Sequence, residues 1–277
     1  MFTKSFHEGG AAMDKTLLLD RAARDGEQRV LLARILDQQE RAARRNVPTH
    51  TGFLTPAEQA VSADLLMHAA PGQGVLFGGY ADAERRLWGF LPDWLDEESW
   101  RIGTDCPVRA LRAEVPAGAA LTHRDWLGAL MGLGITREKL GDILLQPDGA
   151  QILVLAETAE ILLTQWDKVG RWSIRLSSLP LAALTPAPSQ TKEVRATVAS
   201  PRLDAVLAAG FSVPRSRAAE LIRSGRVMVD HRPCEKGDRP VAAGAVLTCR
   251  GLGKCVLREI GGASRRGRTV LILERYL

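Results

Sequence analysis

The run PRSRAAELIRSGRVMVDHR, residues 214–232, sets arginines at 215, 217, 223, 226 and 232 around one short apolar stretch. Guanidinium groups are planar, permanently charged forks that hydrogen-bond two oxygens of a phosphate at once. Clustered at helical spacing, they have the chemistry of phosphate contact; the plain alternative is a solvated helix face. At about 100° per residue, with Arg215 at 0°, Arg223 falls near 80° and Arg217 near 200°, while Ala218, Leu221 and Ile222 fill the arc from about 240° to 340°. The arginines thus flank the apolar stripe and stay out of the core.

Other residue sets offer chemistry with less support. Asp204, in Arg202-Leu203-Asp204, is a carboxylate of the type that serves as a nucleophile, but it equally suits a salt bridge or cap on its own helix. His123-Arg124-Asp125 has the types of a general base and an orienting acid. Thr122 and Asp125 also fit the N-cap and N3 positions of a helix, and no nucleophile stands at a useful spacing. GLGK, residues 251–254, lacks the length and the Ser/Thr of a phosphate loop. The five histidines are scattered, and Cys106, Cys234, Cys249 and Cys255 form no CxxC pair. No catalytic residue, metal site or cofactor is expected.

The charge is segregated along the chain. Residues 191–277 hold 17 Lys and Arg against 8 Asp and Glu, a net of +9, whereas residues 1–190 hold 20 against 24, a net of −4. A positive field confined to one small domain attracts phosphate polymers and raises encounter rates. The apolar runs VLFGGY and LGALMGLGI are far shorter than the roughly 18–20 residues of a membrane span, and MFTKSFHEGGAAMDK lacks the apolar region of a leader, so a cytoplasmic location is expected.

These residues need elements to position them. Apolar spacing over 13–45 predicts two helices broken at Asp25-Gly26 and stopped by Pro48, and Thr55, Pro56 and Glu58 mark the start of a third. Residues 1–12 read as a loose tail, with Met1 and Met13 both open as starts. After the Pro71-Gly72-Gln73-Gly74 break come the strand-like runs VLFGGY, RRLWGFLP and VRALRAEV. From VRALRAEV onward the order is βαββαβ, with helices in WLGALMGLG and TAEILLTQWDKV and strands in DILLQ, ILVLAE and WSIRLSSL. That order is the split βαβ, ferredoxin-like or RRM-like, sandwich. Two extra strands at 75–90 are expected to cover or extend its sheet. RNA-recognition sheets stack bases on aromatics in a central strand, and AQILVLAE has none. PLAALTPAPSQ reads as a linker, followed by helices RLDAVLAAG and RSRAAELIRSG and the strands RVMVDH, GAVLTCRG, GKCVLREI and TVLILERY.

The segment 202–251 resembles the small RNA-binding module named after ribosomal protein S-four. The match lies in Arg202-Leu203-Asp204, Arg215-Ser216 before Ala218, Leu221-Ile222, Gly225, Val227, Val229 and Gly244-Ala245-Val246. Pro214 stands where that module usually has a Ser cap, which puts the cap's chemistry in doubt, and Asp230-His231 replaces its usual Asn-Gly turn. With GGYADAERRLWGFLP, LTHRDWLGALMGLGITREKLGDILL and RGLGKCVLREIGGASRRGRT, residues 50–277 are similar to the YlmH-type family of bacterial and plastid RNA-binding proteins. The resemblance implies association with a stalled large ribosomal subunit carrying peptidyl-tRNA, in a quality-control pathway that extends the nascent chain. Arg202-Leu203-Asp204 also resembles the Arg-Leu-Asp of pseudouridine synthases, where the Asp is the nucleophile. There the triplet lies in a separate large sheet domain, and here it opens the basic module.

The expectations are therefore an α+β chain with an N-terminal helical region at 1–74, a ferredoxin-like domain at 75–180, a Pro-rich linker at 181–192 and an S-four-like RNA-binding domain at 193–277. RNA contact is expected at Arg202, Arg215, Ser216, Arg217, Arg223, Arg226, Lys236, Lys254, Arg265, Arg266 and Arg268. A second ribosome contact is expected at His123, Arg124, Arg137 and Lys139. The partners are structured RNA (rRNA and tRNA) and the large subunit, bound by a monomer without enzymatic activity. The alternatives are an RNA-modifying enzyme, another rRNA- or tRNA-binding assembly factor, and a middle domain that binds protein while RNA serves as a tether.

Overall fold

Asp25 divides the first two helices as the sequence predicts. In the computed structural model of the protein, which describes residues 15–69, 74–188, 190–263 and 267–277, helix α1 spans Lys15–Ala22 and α2 spans Gly26–Arg45. The Asp25 side chain accepts the Gln28 N–H, and Asn46 closes α2 in the left-handed region at φ 53°. Helix α3, Pro56–Ala69, starts on a reciprocal cap between Thr55 and Glu58. The expected tail, residues 1–12, and the break at Pro71-Gly72-Gln73 lie outside the described residues.

Contacts divide the chain into two units, Met1–Ala187 and Pro188–Leu277. In the first, β1 (Thr49–His50), β2 (Gly74–Phe77) and β3 (Leu87–Phe90) form an antiparallel sheet in the order β1-β3-β2. Leu32, Ile35, Leu65 and Leu66 of the helices pack on Trp88 and Phe90 of β3. A short helix that the sequence reading did not anticipate, α4 (Glu97–Ile102), is capped by Asp96 and buries Trp100. Gly89 has no side chain because a Cβ there would lie 2.4 Å from the Trp100 ring.

The ferredoxin-like order is present in full. Strand β4 (Val108–Glu114), α5 (His123–Gly132), β5 (Leu140–Gln146), β6 (Gly149–Leu155), α6 (Ala156–Gln165) and a last strand at Arg175–Leu179 give a four-stranded antiparallel sheet. Before that last strand a hairpin intervenes, β7 (Lys168–Val169) and β8 (Trp172–Ser173), so the last strand is β9 and the sheet order is β5-β6-β4-β9. The helix expected through Val169 thus stops at Gln165, where Trp166 leaves the helical conformation, and Gly170 (φ 58°) makes the turn of the hairpin that follows. Every residue of β6 is buried. Its Ile152 and Val154 meet Trp126, Leu130 and Leu162 of the helices, while Leu153 and Leu155 meet Phe53, Phe77, Leu87 and Trp100 on the other side. The strands at 75–90 cover the ferredoxin-like sheet and do not extend it.

The boundary between the two units falls within the linker expected at 181–192, but the ends of that stretch are structured. Leu181–Ala183 form a 3-10 turn, and Leu181 and Leu184 pack on the Phe53–Trp100 core. Thr185 exchanges hydrogen bonds with buried Gln151, whose amide would otherwise be unsatisfied (2.8 and 2.9 Å). At the other end Thr191 and Lys192 already belong to β10, Thr191–Val198, an alternating strand that the reading from Val194 missed.

The second unit continues with α7 (Leu203–Phe211), α8 (Arg215–Arg223), β11 (Val227–Val229), β12 (Arg232–Pro233), β13 (Val246–Cys249), β14 (Gly253–Ala263) and β15 (Thr269–Tyr276). The sheet order is β10-β15-β14-β13-β11-β12. Leu203, Val206, Leu207, Leu221 and Ile222 of the two helices share one core with Leu247, Leu257, Leu271 and Leu273 of the sheet. Asp230 and His231, at φ 51° and 62°, make the two-residue β11–β12 turn without glycine. Asp230 is held there because its amide donates to the Val246 carbonyl and its carboxylate accepts from the Val246 amide (2.8 and 2.9 Å). No helix among the described residues is long and apolar enough to cross a membrane.

Candidate nucleic-acid interface

Helix α8 carries its arginines where the helical angles put them. Ala218, Leu221 and Ile222 are buried, and Arg215, Ser216, Arg217 and Arg223 are exposed. Pro214 is the N-cap and makes no side-chain cap bond, so the first helical residue is Arg215 and not the proline. Gly225 (φ 67°) ends the helix: its amide donates to the Ile222 carbonyl and that of Arg226 to the Leu221 carbonyl. This paired closure fixes the backbone of Arg226.

The arginines gather around two carboxylates. Asp204, only 13% exposed, accepts from Arg215 Nε and Nη2 on one oxygen at 3.0 and 2.8 Å, and Arg202 Nε lies 3.6 Å from the other. Arg217 pairs with Glu220 at 2.7 Å, one helical turn on. That hydrogen bond, with the charges of Arg217, Arg223 and Arg226, holds the Glu220 carboxyl below its usual range. Arg202 and Arg215 therefore keep a surplus of one positive charge over Asp204, and Arg217, Arg223 and Arg226 a surplus of two over Glu220. A partly neutralised, preorganised cluster of this kind presents its remaining N–H groups to a phosphate without first having to collect them.

Lys236 joins the first cluster through the backbone. The Gly237 and Arg239 carbonyls accept the amides of Asp204 and Leu203 (both 2.9 Å), which ties the loop carrying Lys236 to the start of α7. Arg239, exposed in the same loop, was missed by the sequence reading because it lies in a turn with no periodicity. Arg250 was missed too, and its amide donates to the Arg226 carbonyl at 2.9 Å. Lys254 is not brought to this surface. It alternates with core residue Cys255 along β14, so it points to the sheet face away from the helices, over the Tyr276 ring at 4.3 Å. Arg268 donates to the Thr197 carbonyl at 2.8 Å, and Arg265 and Arg266 lie outside the described residues.

The expected second contact is split. His123 and Arg124 occupy the first turn of α5, behind a reciprocal Thr122–Asp125 cap whose hydrogen bonds lower the Asp125 carboxyl. Arg137 and Lys139 sit in a 3-10 turn beyond the other end of this ten-residue helix, about 15 Å away along its axis. That turn is held by Arg85, which donates to the carbonyls of Leu140, Phe53 and Arg137 at 2.8, 3.0 and 2.9 Å. Burial pushes the Arg85 guanidinium below its usual range, and Asp142 braces the 80–85 loop that carries it by accepting from Tyr80, Glu84 and Arg85. Among the described residues no group of three or more His, Cys, Asp or Glu could hold a metal ion.

Three family models match along the chain: "YlmH, N-terminal" at residues 27–89, "Putative RNA-binding domain in YlmH" at 116–183, and "S4 domain" at 201–247. The "Ribosome-associated protein quality control protein P2" of Bacillus subtilis (strain 168) is 33% identical over 231 residues, covering 81% of this chain and 86% of that protein. A solved structure, "Cell division protein ylmH from Streptococcus pneumoniae", is similar over 66% of this chain and 98% of its own at 17% identity. The TM-score between the two is 0.43. The extent and identity of the Bacillus match, with YlmH models at both ends of the first unit and an S4 domain carrying the arginine clusters, show that the chain belongs to the YlmH family.

Proposed function

We propose that this protein is a non-enzymatic RNA-binding factor that grips structured RNA, rRNA and tRNA, with the arginines around Asp204 and Glu220. It acts as a cytoplasmic monomer on a large ribosomal subunit that still carries peptidyl-tRNA, in ribosome-associated quality control. The observation that carries the reading is the pair of arginine clusters on α7 and α8, each holding more positive charge than its carboxylate cancels. The name of the Bacillus relative supports the ribosomal part. Such a grip is mainly electrostatic, so its affinity falls steeply with salt.

Sedimentation of cell extract through a sucrose gradient, with detection of this protein in each fraction, tests the proposal. It should travel with large subunits, enriched when translation is stalled. Its absence from every ribosomal fraction refutes the reading, and confinement to immature subunits would favour an assembly factor. The enzyme alternative rests on Asp204, and that carboxylate is already engaged by Arg215 and Arg202.

A further inference from the structure

We propose that the depression between the first turns of α5 and the β7–β8 hairpin binds one unstacked nucleotide of a single-stranded RNA segment. This rests on the RNA-binding reading above and names a second site for it. RNA-recognition sheets take RNA on the open face opposite their helices. Here that face is closed, because Leu153 and Leu155 of β6 are packed against Phe53, Phe77, Leu87 and Trp100. RNA contact by the first unit must therefore use another surface.

The depression, about 540 Å³, is lined by Arg124, Asp125 and Gly128 from α5 and by Gly170, Arg171 and Trp172 from the hairpin, among others. Its volume is that of a small-ligand site. The Arg171 guanidinium lies over the Trp172 ring at 4.9 Å, so the hairpin presents a flat cationic surface of the kind on which unstacked bases stack. Arg124, exposed on the opposite wall, supplies a charge for the flanking phosphate. The one carboxylate in the lining, Asp125, is committed to the Thr122 amide and hydroxyl at 2.7 and 2.6 Å.

Gly128 adds an independent observation. It sits inside α5, where glycine weakens a helix relative to alanine. A Cβ there would meet nothing within 4 Å, so packing does not require glycine. As a lining residue of the depression, it keeps this wall low and leaves room for a ligand. Gly170 differs, since its positive φ of 58° is explained by the turn itself.

The test uses the full chain and an unstructured octaribonucleotide containing 4-thiouridine, with photocrosslinked peptides mapped by mass spectrometry. The wild type should crosslink within residues 168–175. Gly128→Leu fills open space, so it should keep or raise the melting temperature of the first unit while cutting that crosslink at least tenfold. Trp172→Phe should retain most of the crosslink and Trp172→Ala should lose it. A wild type without crosslinks in this segment, or a Gly128→Leu variant with wild-type yield, overturns the site. If crosslinks appear only in Pro188–Leu277, this site alone fails; if they appear nowhere, the RNA-binding reading fails with it.

Discussion

Replacing Asp204 by Asn separates a scaffolding carboxylate from a catalytic one. In the protein, one Asp204 oxygen takes two N–H groups of Arg215 at 3.0 and 2.8 Å, and the other faces Arg202 at 3.6 Å. Charge-assisted hydrogen bonds contribute about 1.5–3 kcal/mol when sheltered. Arg215 and Arg202 are 58% and 44% exposed, so solvent screening reduces the loss on neutralising Asp204 to about 1–2 kcal/mol. For a unit the size of Pro188–Leu277, that lowers its melting temperature by roughly 5–12 °C. The RNA side moves the other way. Losing the carboxylate raises the surplus of this cluster by one positive charge, so the dependence of log K on log salt steepens by up to about 1. Calorimetry of the full chain and anisotropy titrations of a labelled tRNA at several KCl concentrations read the two effects. An unchanged melting temperature refutes the scaffold. A modified nucleoside made by the wild type and absent with the Asn variant refutes the non-enzymatic reading.

Arg217→Ala should weaken RNA binding about five- to tenfold, reduce the salt slope by about 1, and leave thermal stability nearly unchanged because its pair with Glu220 is solvated, readable in the same titrations and calorimetry. Arg85→Ala strands three carbonyls and should cost the first unit about 2–4 kcal/mol in urea denaturation. Cys255, buried between α7 and the sheet, has its thiol pushed up to about 11 from 9.0. The unfolded chain therefore ionises first, and the stability held below pH 9 falls as pH rises toward 11, by about 2–3 kcal/mol. Chemical denaturation between pH 8.5 and about 11 should show a slope that Cys255→Ala lacks.

Much of the architecture was legible because local signals agreed with the final packing. Asp25, Thr55 and Thr122 each cap the helix that follows them, and turn residues such as Pro147-Asp148-Gly149 bound several of the βαββαβ runs. The misses have physical causes. TKEVRATV alternates as a strand should, but the prolines before it drew the boundary too late. The β7–β8 hairpin hid behind a helical run because only tertiary contact decides where α6 stops. At the site, the outward arc of the arginines followed from angles alone. Their grouping around Asp204 and Glu220 did not, since it depends on how α7 and the 234–241 loop meet α8.

Strand β6 divides its side chains between two cores, and this sets how the ferredoxin-like part of the first unit opens. The segment matching the RNA-binding model, 116–183, omits β4, the central partner of both β6 and β9. Excised at those bounds it would bare Leu153 and Leu155 and lack its middle strand, so it is no autonomous folding unit. Opening either the α5–α6 layer or the covering sheet strips β6 on one side, which couples the unfolding of those two layers to that of the ferredoxin-like sheet. The amide protons of residues 150–155 should be the slowest of the unit to exchange with solvent, released only by its global unfolding.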